Sequence, residues 1–368
     1  YSSAVSLAGA SVLRGASVGF SSTVTGDNDL FVNAALTTAG ALSIKKIEAN
    51  GTVQLGGDVT TTSSQAYGEA VILAADVTLT SPDYITFNKT VDGAYALTLD
   101  ADTSAELYGA VGGQTALASL LTQGDAGSKT QIGATYENVA VAITTTGSQT
   151  YNQNLLLGGN TTLTADGLLA GAIDVSTYNL TLSEAGTGSV TGIISGSGAL
   201  TKSGAGTLTL SGANTYTGAT TISAGTLVLA NDTPTTASSG FGGAGSLSIE
   251  SVADSFASTF DVDGNWSFGS DLGGLTIGKS SNTELINMSS AISITGSLTV
   301  YGGSVSVTSS MVSTSGDILI DADTGTMLSQ ATNGVWVSGA GVEIKTLGLN
   351  LLDGASGDIT IVGRGGDA

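Results

Sequence analysis

The stretch Gly196 to Leu229 reads GSGALTKSGAGTLTLSGANTYTGATTISAGTLVL, and its reading decides the fold. Apolar residues stand two apart in short runs: Leu208 and Leu210, then Leu227 and Leu229. Gly, Ser, Asn and Thr fill the gaps. A period of two over a few residues is a strand with one buried face, and the glycine-rich gaps are turns. In Leu208-Thr-Leu210 two side chains point one way and the third points the other. One such coil cannot bury its apolar side alone. Coils that stack and hydrogen-bond along an axis share a core, so the pattern predicts an all-β chain folded as a β-solenoid. At ~20 residues per coil and ~4.8 Å per step, about 18 coils would form an elongated rod roughly 85 Å long.

The same grammar runs outward in both directions. TTTSSQAYGEAVILAADVTLTS at Thr60 to Ser81 matches TTTGSQTYNQNLLLGGNTTLTA at Thr144 to Ala165. The offset is 149 − 65 = 84, because Gln65 falls on Gln149, Tyr67 on Tyr151 and Leu79 on Leu163. The expected unit is thus about 80 residues, read as four coils. Near the end, GDILI at Gly316 to Ile320 recurs as GDITI at Gly357 to Ile361, an offset of 357 − 316 = 41 that is read as two coils. The window Thr115 to Thr122 (TALASLLT) is the one helix-like segment; it lacks a cap and is read as strand. The domain reading is one continuous solenoid over 1–368. Within it, 1–27 are N-terminal coils or a cap, and 28–189 hold the two long repeats. The special stretch occupies 190–230, a loop or junction 231–245, and further coils 246–368.

Composition narrows the function. Lys+Arg 9 against Asp+Glu 30 gives 9 − 30 = −21. Such a surface repels nucleic acid and anionic membranes, so neither is an expected partner. With no Cys and no His, thiolate metal sites and the usual neutral-pH base are both missing. No run is apolar and long enough for a membrane span. Tyr1 leads straight into strand-like sequence, and the chain is read as a mature or excised segment.

Gly196 to Leu229 resembles the autotransporter-associated β-strand repeat, also called the passenger-associated transport repeat. The residues that carry the resemblance are Gly198, Leu200, Lys202, Gly204, Gly206, Leu208, Leu210, Gly212, Asn214, Tyr216, Gly218, Thr220, Ile222, Gly225 and Leu227. They cover under a tenth of the chain. The flanking repeats are similar to those of very large filamentous-haemagglutinin-type exoproteins. The resemblance implies a right-handed parallel β-helix, exported across a Gram-negative outer membrane by an autotransporter or two-partner route and displayed on the cell surface or released. The implied function is a non-catalytic rod or stalk of a bacterial adhesin or biofilm matrix protein. An outer-membrane secretion apparatus is the implied partner, with host or matrix glycans or proteins as ligands.

Two other readings stay beside it. A carbohydrate-active β-helix enzyme needs paired carboxylates at a set separation. The acidic corners Asp100/Asp102, Asp321/Asp323 and Asp27/Asp29 offer such pairs, and the first two are also Ca²⁺ candidates. The alternative for all three is turn aspartates, and no cofactor is expected. Trp266, Trp336 and Phe268 are too scattered in sequence to define a sugar groove. The last reading is an extracellular filament, since open solenoid ends offer strand edges for end-to-end self-association. Asn214 is the candidate for an inward polar ladder.

Overall fold

A computed structural model describes residues 1–133, 139–231, 240–322, 335–339, 341–346 and 358–362. Among these residues there is no helix. The chain divides into two compact units, Tyr1–Gly198 and Ala199–Ala368. In each, parallel strands stack as a β-solenoid, as the period-two runs require.

The first unit has three sides. One side stacks Val59–Thr61, Val77–Ser81, Ala96–Ala101, Ser119–Gln123, Ser148–Tyr151 and Gly167–Ala170. The second stacks Gln65–Tyr67, Tyr84–Phe87, Ser104–Leu107, Lys129–Ile132 and Asn154–Leu157. The third stacks Val53–Leu55, Val71–Leu73 and Val91–Asp92, passes through a bridge at Val111, and continues with Val141–Thr144, Thr161–Ala165 and Leu180–Glu184. Along most of these strands buried residues alternate with accessible ones, as in Val59-Thr60-Thr61 and Val71-Ile72-Leu73, whereas Ser104–Leu107 and Lys129–Ile132 bury consecutive residues. The inward positions form columns, such as Val59, Leu79, Leu99, Thr122 and Tyr151 on the first side. Each buried branched side chain contributes about 1.5–3 kcal/mol to that core.

The columns correct the coil count of the long repeat. Val59, Leu79, Leu99 and Thr122 are successive coils of the first side. Ile143, the repeat partner of Val59, lies on the third side, paired with Leu163 and Val111. The repeat offset thus spans three coils and two further sides, not four coils. Gln65 stands on the second side beside Ile85, while Gln149 stands on the first beside Leu120. Corners of variable length cause the mismatch. The coil from Thr122 to Tyr151 takes up about half as much chain again as the coil from Leu79 to Leu99.

In the second unit the longest stack runs Thr207–Leu210, Thr226–Ala230, Ser246–Glu250, Gly274–Ile277, Ser297–Tyr301, Ile318–Asp321 and Ile359–Val362. Its inward column is Leu208, Leu227, Leu247, Leu275, Leu298, Ile318 and Ile359. The two GDI segments are direct neighbours here, Ile318 on Ile359, so the span between them makes one long coil rather than two. Val335–Val337 and Ile344–Thr346 supply the other sides of that coil. The helix-like window also resolves: Leu117 forms a bridge and Ser119–Gln123 a strand, with bends before them. Most of the expected junction lies outside the described residues, but Phe241–Gly242 pairs as a strand with Thr220 and Thr221.

Candidate functional site

The strand Leu200–Ser203 lies on Thr220–Ile222, and Thr207–Leu210 lies on Thr226–Ala230. Leu200, Leu208, Leu210, Ile222 and Leu227 all point into the core. Lys202 does too. Its alternation with Leu200 puts it on the inward face, where its side chain is fully buried. Its Nζ donates to the carbonyl oxygens of Ser203 (2.8 Å), Gly204 (2.8 Å) and Ala224 (3.4 Å). One ammonium therefore satisfies acceptors at the corners of two successive coils.

Those corners explain the glycine spacing. Gly204 and Gly225 have φ +79° and +67°, in the left-handed region open to glycine. A Cβ on Gly225 would meet the Gly204 carbonyl oxygen at 2.6 Å, and that of Gly206 closer still. Gly198 is equally constrained, because a Cβ there would overlap the Tyr178 carbonyl. Gly206, Gly212 and Gly218 are half-buried corner positions. Residues 211–219 form no strand, and the Asn214 N–H closes a tight turn on the Gly212 carbonyl at 2.9 Å. Asn214 is half-buried. Tyr216 fills the interior of this strandless side, its hydroxyl 2.7 Å from Thr220 Oγ1.

Burial pushes the Tyr216 phenol up from 10.0 to about 12. Burial raises Tyr67 and Tyr151 as well, with the Glu184 charge adding at Tyr151. The folded chain holds these protons more tightly than the unfolded one. Their stabilisation is complete below about pH 10 and is lost as pH climbs through the folded values. For Tyr216 alone the loss by pH 12 is about 2–3 kcal/mol. Denaturant midpoints should fall between pH 10 and 12, and Tyr216→Phe should flatten part of the slope. Midpoints that stay level across that window would contradict this account.

The two long repeats carry the same interior device. Gln65 Nε2 donates to the Val59 and Thr80 carbonyls at 3.0 and 2.8 Å, and Tyr67 donates to Gln65 Oε1 at 3.0 Å. Gln149 Nε2 donates to Ile143 and Thr164 at 3.0 and 2.8 Å, and Tyr151 to Gln149 Oε1 at 2.9 Å. A third interior network was not visible in the sequence. Gln153 Nε2 reaches the Ala101 and Gln123 carbonyls at 2.7 and 2.9 Å, and its Oε1 accepts from Thr130 at 2.8 Å. Only its even spacing from Tyr151 hinted that it faces inward.

The acidic corners have structural partners. Asp58 Oδ1 accepts the Thr78 N–H at 2.8 Å, Asp76 the Ala96 N–H at 2.9 Å, and Asp317 the Asp358 N–H at 2.8 Å. Each carboxylate precedes a strand and caps the start of the next coil's strand. Asp100 accepts from Gln123 Nε2 at 3.2 Å, and Asp102 is exposed. Asp27 accepts from Thr62 Oγ1 at 3.2 Å, and Asp29 lies 3.6 Å from Lys45 Nζ. Asp321 ends a strand, and Asp323 lies outside the described residues. Among the described residues no three His, Cys, Asp or Glu gather as metal ligands.

Trp266 and Phe268, scattered in sequence from their partners, are stacked in space. Their ring centroids are 6.1 Å apart, each also stacks on Phe241, and Phe260 meets Trp266 edge-on at 5.5 Å. Trp266 is buried in this cluster, whereas Trp336 stands on an outward face.

An all-β repeat protein whose coils are closed by glycine corners and interior polar plugs is the class these features define. Residues 200–229 match the family model described as Passenger-associated-transport-repeat. The chain carries that repeat, and the repeat and the solenoid together fit an autotransporter passenger domain. No curated protein and no solved structure matches the chain. No helix among the described residues is long and apolar enough to cross a membrane.

Proposed function

We propose that this chain is a non-catalytic structural segment of a large protein displayed on or released from a Gram-negative surface, serving adhesion or biofilm matrix. The observation that carries this reading is the repeat at 200–229, built into the coils rather than appended to them. A secretion apparatus in the outer membrane is the partner this requires, by either the autotransporter or the two-partner route. The described side chains support a structural role: carboxylates cap strands, the one lysine of the repeat plugs corners, and Trp266 is core.

Export tests the reading. The chain would be placed between a signal peptide and an autotransporter barrel and expressed in a Gram-negative host. Intact cells should then lose the chain to added proteinase K. Deletion of 200–229 should lower the surface-exposed fraction several-fold. A chain that stays in the periplasm, or whose display ignores the deletion, would sink the reading.

A further inference from the structure

In the second unit, Phe260–Val262, Leu285–Met288, Ser304–Val307 and Val335–Val337 form one stack. Its outward column reads Asp261, Asn287, Ser306 and Trp336. Three coils place small hydrogen-bonding groups there, and the fourth places a tryptophan that is 48% exposed. The other tryptophan of the chain is 6% exposed, in the aromatic cluster. Trp336 thus departs from the polar pattern of the three coils below it in the column. Asn287 Nδ2 donates to Asp261 Oδ1 at 2.9 Å, which fixes the orientation of the amide within the column.

We propose that this column is a binding track for an uncharged glycan chain. A pyranose has one face of C–H groups, which suits the electron-rich indole face, and a rim of hydroxyls, which suits Ser306, Asn287 and Asp261. The groups repeat at roughly 4.8 Å, close to the length of one pyranose unit. The charge decides between glycan classes: at −21, with Asp261 in the track, an acidic polysaccharide is repelled. Size decides against a protein: a stable protein interface takes about 800 Å² per partner, and the exposed apolar side chains on this strand are Trp336 and Val337. The proposal does not depend on surface display.

Acrylamide quenching of tryptophan emission tests it, because Trp336 is the accessible indole. Cellohexaose, chitohexaose, maltohexaose and hexagalacturonate would be titrated into the protein, with affinities from calorimetry. At least one neutral hexasaccharide should protect the accessible emission. Trp336→Ala and Asn287→Ala should each weaken its binding about tenfold or more, and Trp336→Phe should retain part of it. Far-UV spectra would check that the variants stay folded. No binding by any neutral hexasaccharide, binding by hexagalacturonate alone, or an unchanged affinity in Trp336→Ala would each overturn the proposal.

Discussion

Lys202→Met is expected to destabilise the fold by about 3 kcal/mol or more. The substitution keeps the length and removes the charge. It takes this donor, a fully buried side chain, from the half-buried corner carbonyls of Ser203, Gly204 and Ala224, now bonded at 2.8, 2.8 and 3.4 Å. An unsatisfied buried acceptor costs ~1–3 kcal/mol, more when it loses a charged partner. Methionine's own burial offsets part of this. Urea titration at constant m should show the drop as a lower midpoint. Lys202→Gln, which keeps a donor, should fall between the two. A midpoint unmoved in Lys202→Met would show that the ammonium is dispensable and that the carbonyls are satisfied another way.

The second large effect concerns the duplicated Gln–Tyr pair. Gln149→Leu should cost about 3 kcal/mol, since it strands two carbonyls and the Tyr151 hydroxyl together. Tyr151→Phe should cost about 1 kcal/mol, because a single neutral bond goes. The double variant should cost less than the sum by ~1 kcal/mol, the signature of a shared network. Gln65→Leu and Tyr67→Phe should give the same pattern, because the two copies match bond for bond at nearly equal lengths. A costly Gln149→Leu beside a harmless Gln65→Leu would refute the equivalence of the copies.

Much of the fold was legible because a strand announces itself by parity. Leu208 and Leu210, or Val71 and Leu73, need only their spacing to be placed inward. Lys202 shares the parity of Leu200, but a lysine is not an obvious core residue, and its burial emerged only from the structure. Coil length was not legible in this way. Corners carry no period, so the span from Ile318 to Ile359 reads as two coils and forms one. The Gln153 network joins Ala101, Gln123 and Thr130 from neighbouring coils, and its partners depend on those unpredictable corner lengths. The aromatic cluster stayed hidden for the same reason: Phe241 and Trp266 meet only after the corner between them is known.

The offset of three and two-thirds coils between the repeats carries a consequence for how such chains grow. The Gln–Tyr device works between the first and second sides in one copy and between the third and first in the other. The smallest unit that can be copied without loss is therefore one strand with one corner. Duplications and deletions can slip by any number of such thirds and still leave every inward residue facing inward. What they change is the compass bearing of everything outside. Thr60 and its repeat partner Thr144 have the same sequence surroundings yet look out in directions one side apart. A lineage can thus revolve a surface feature around the axis by slippage alone, with the core untouched.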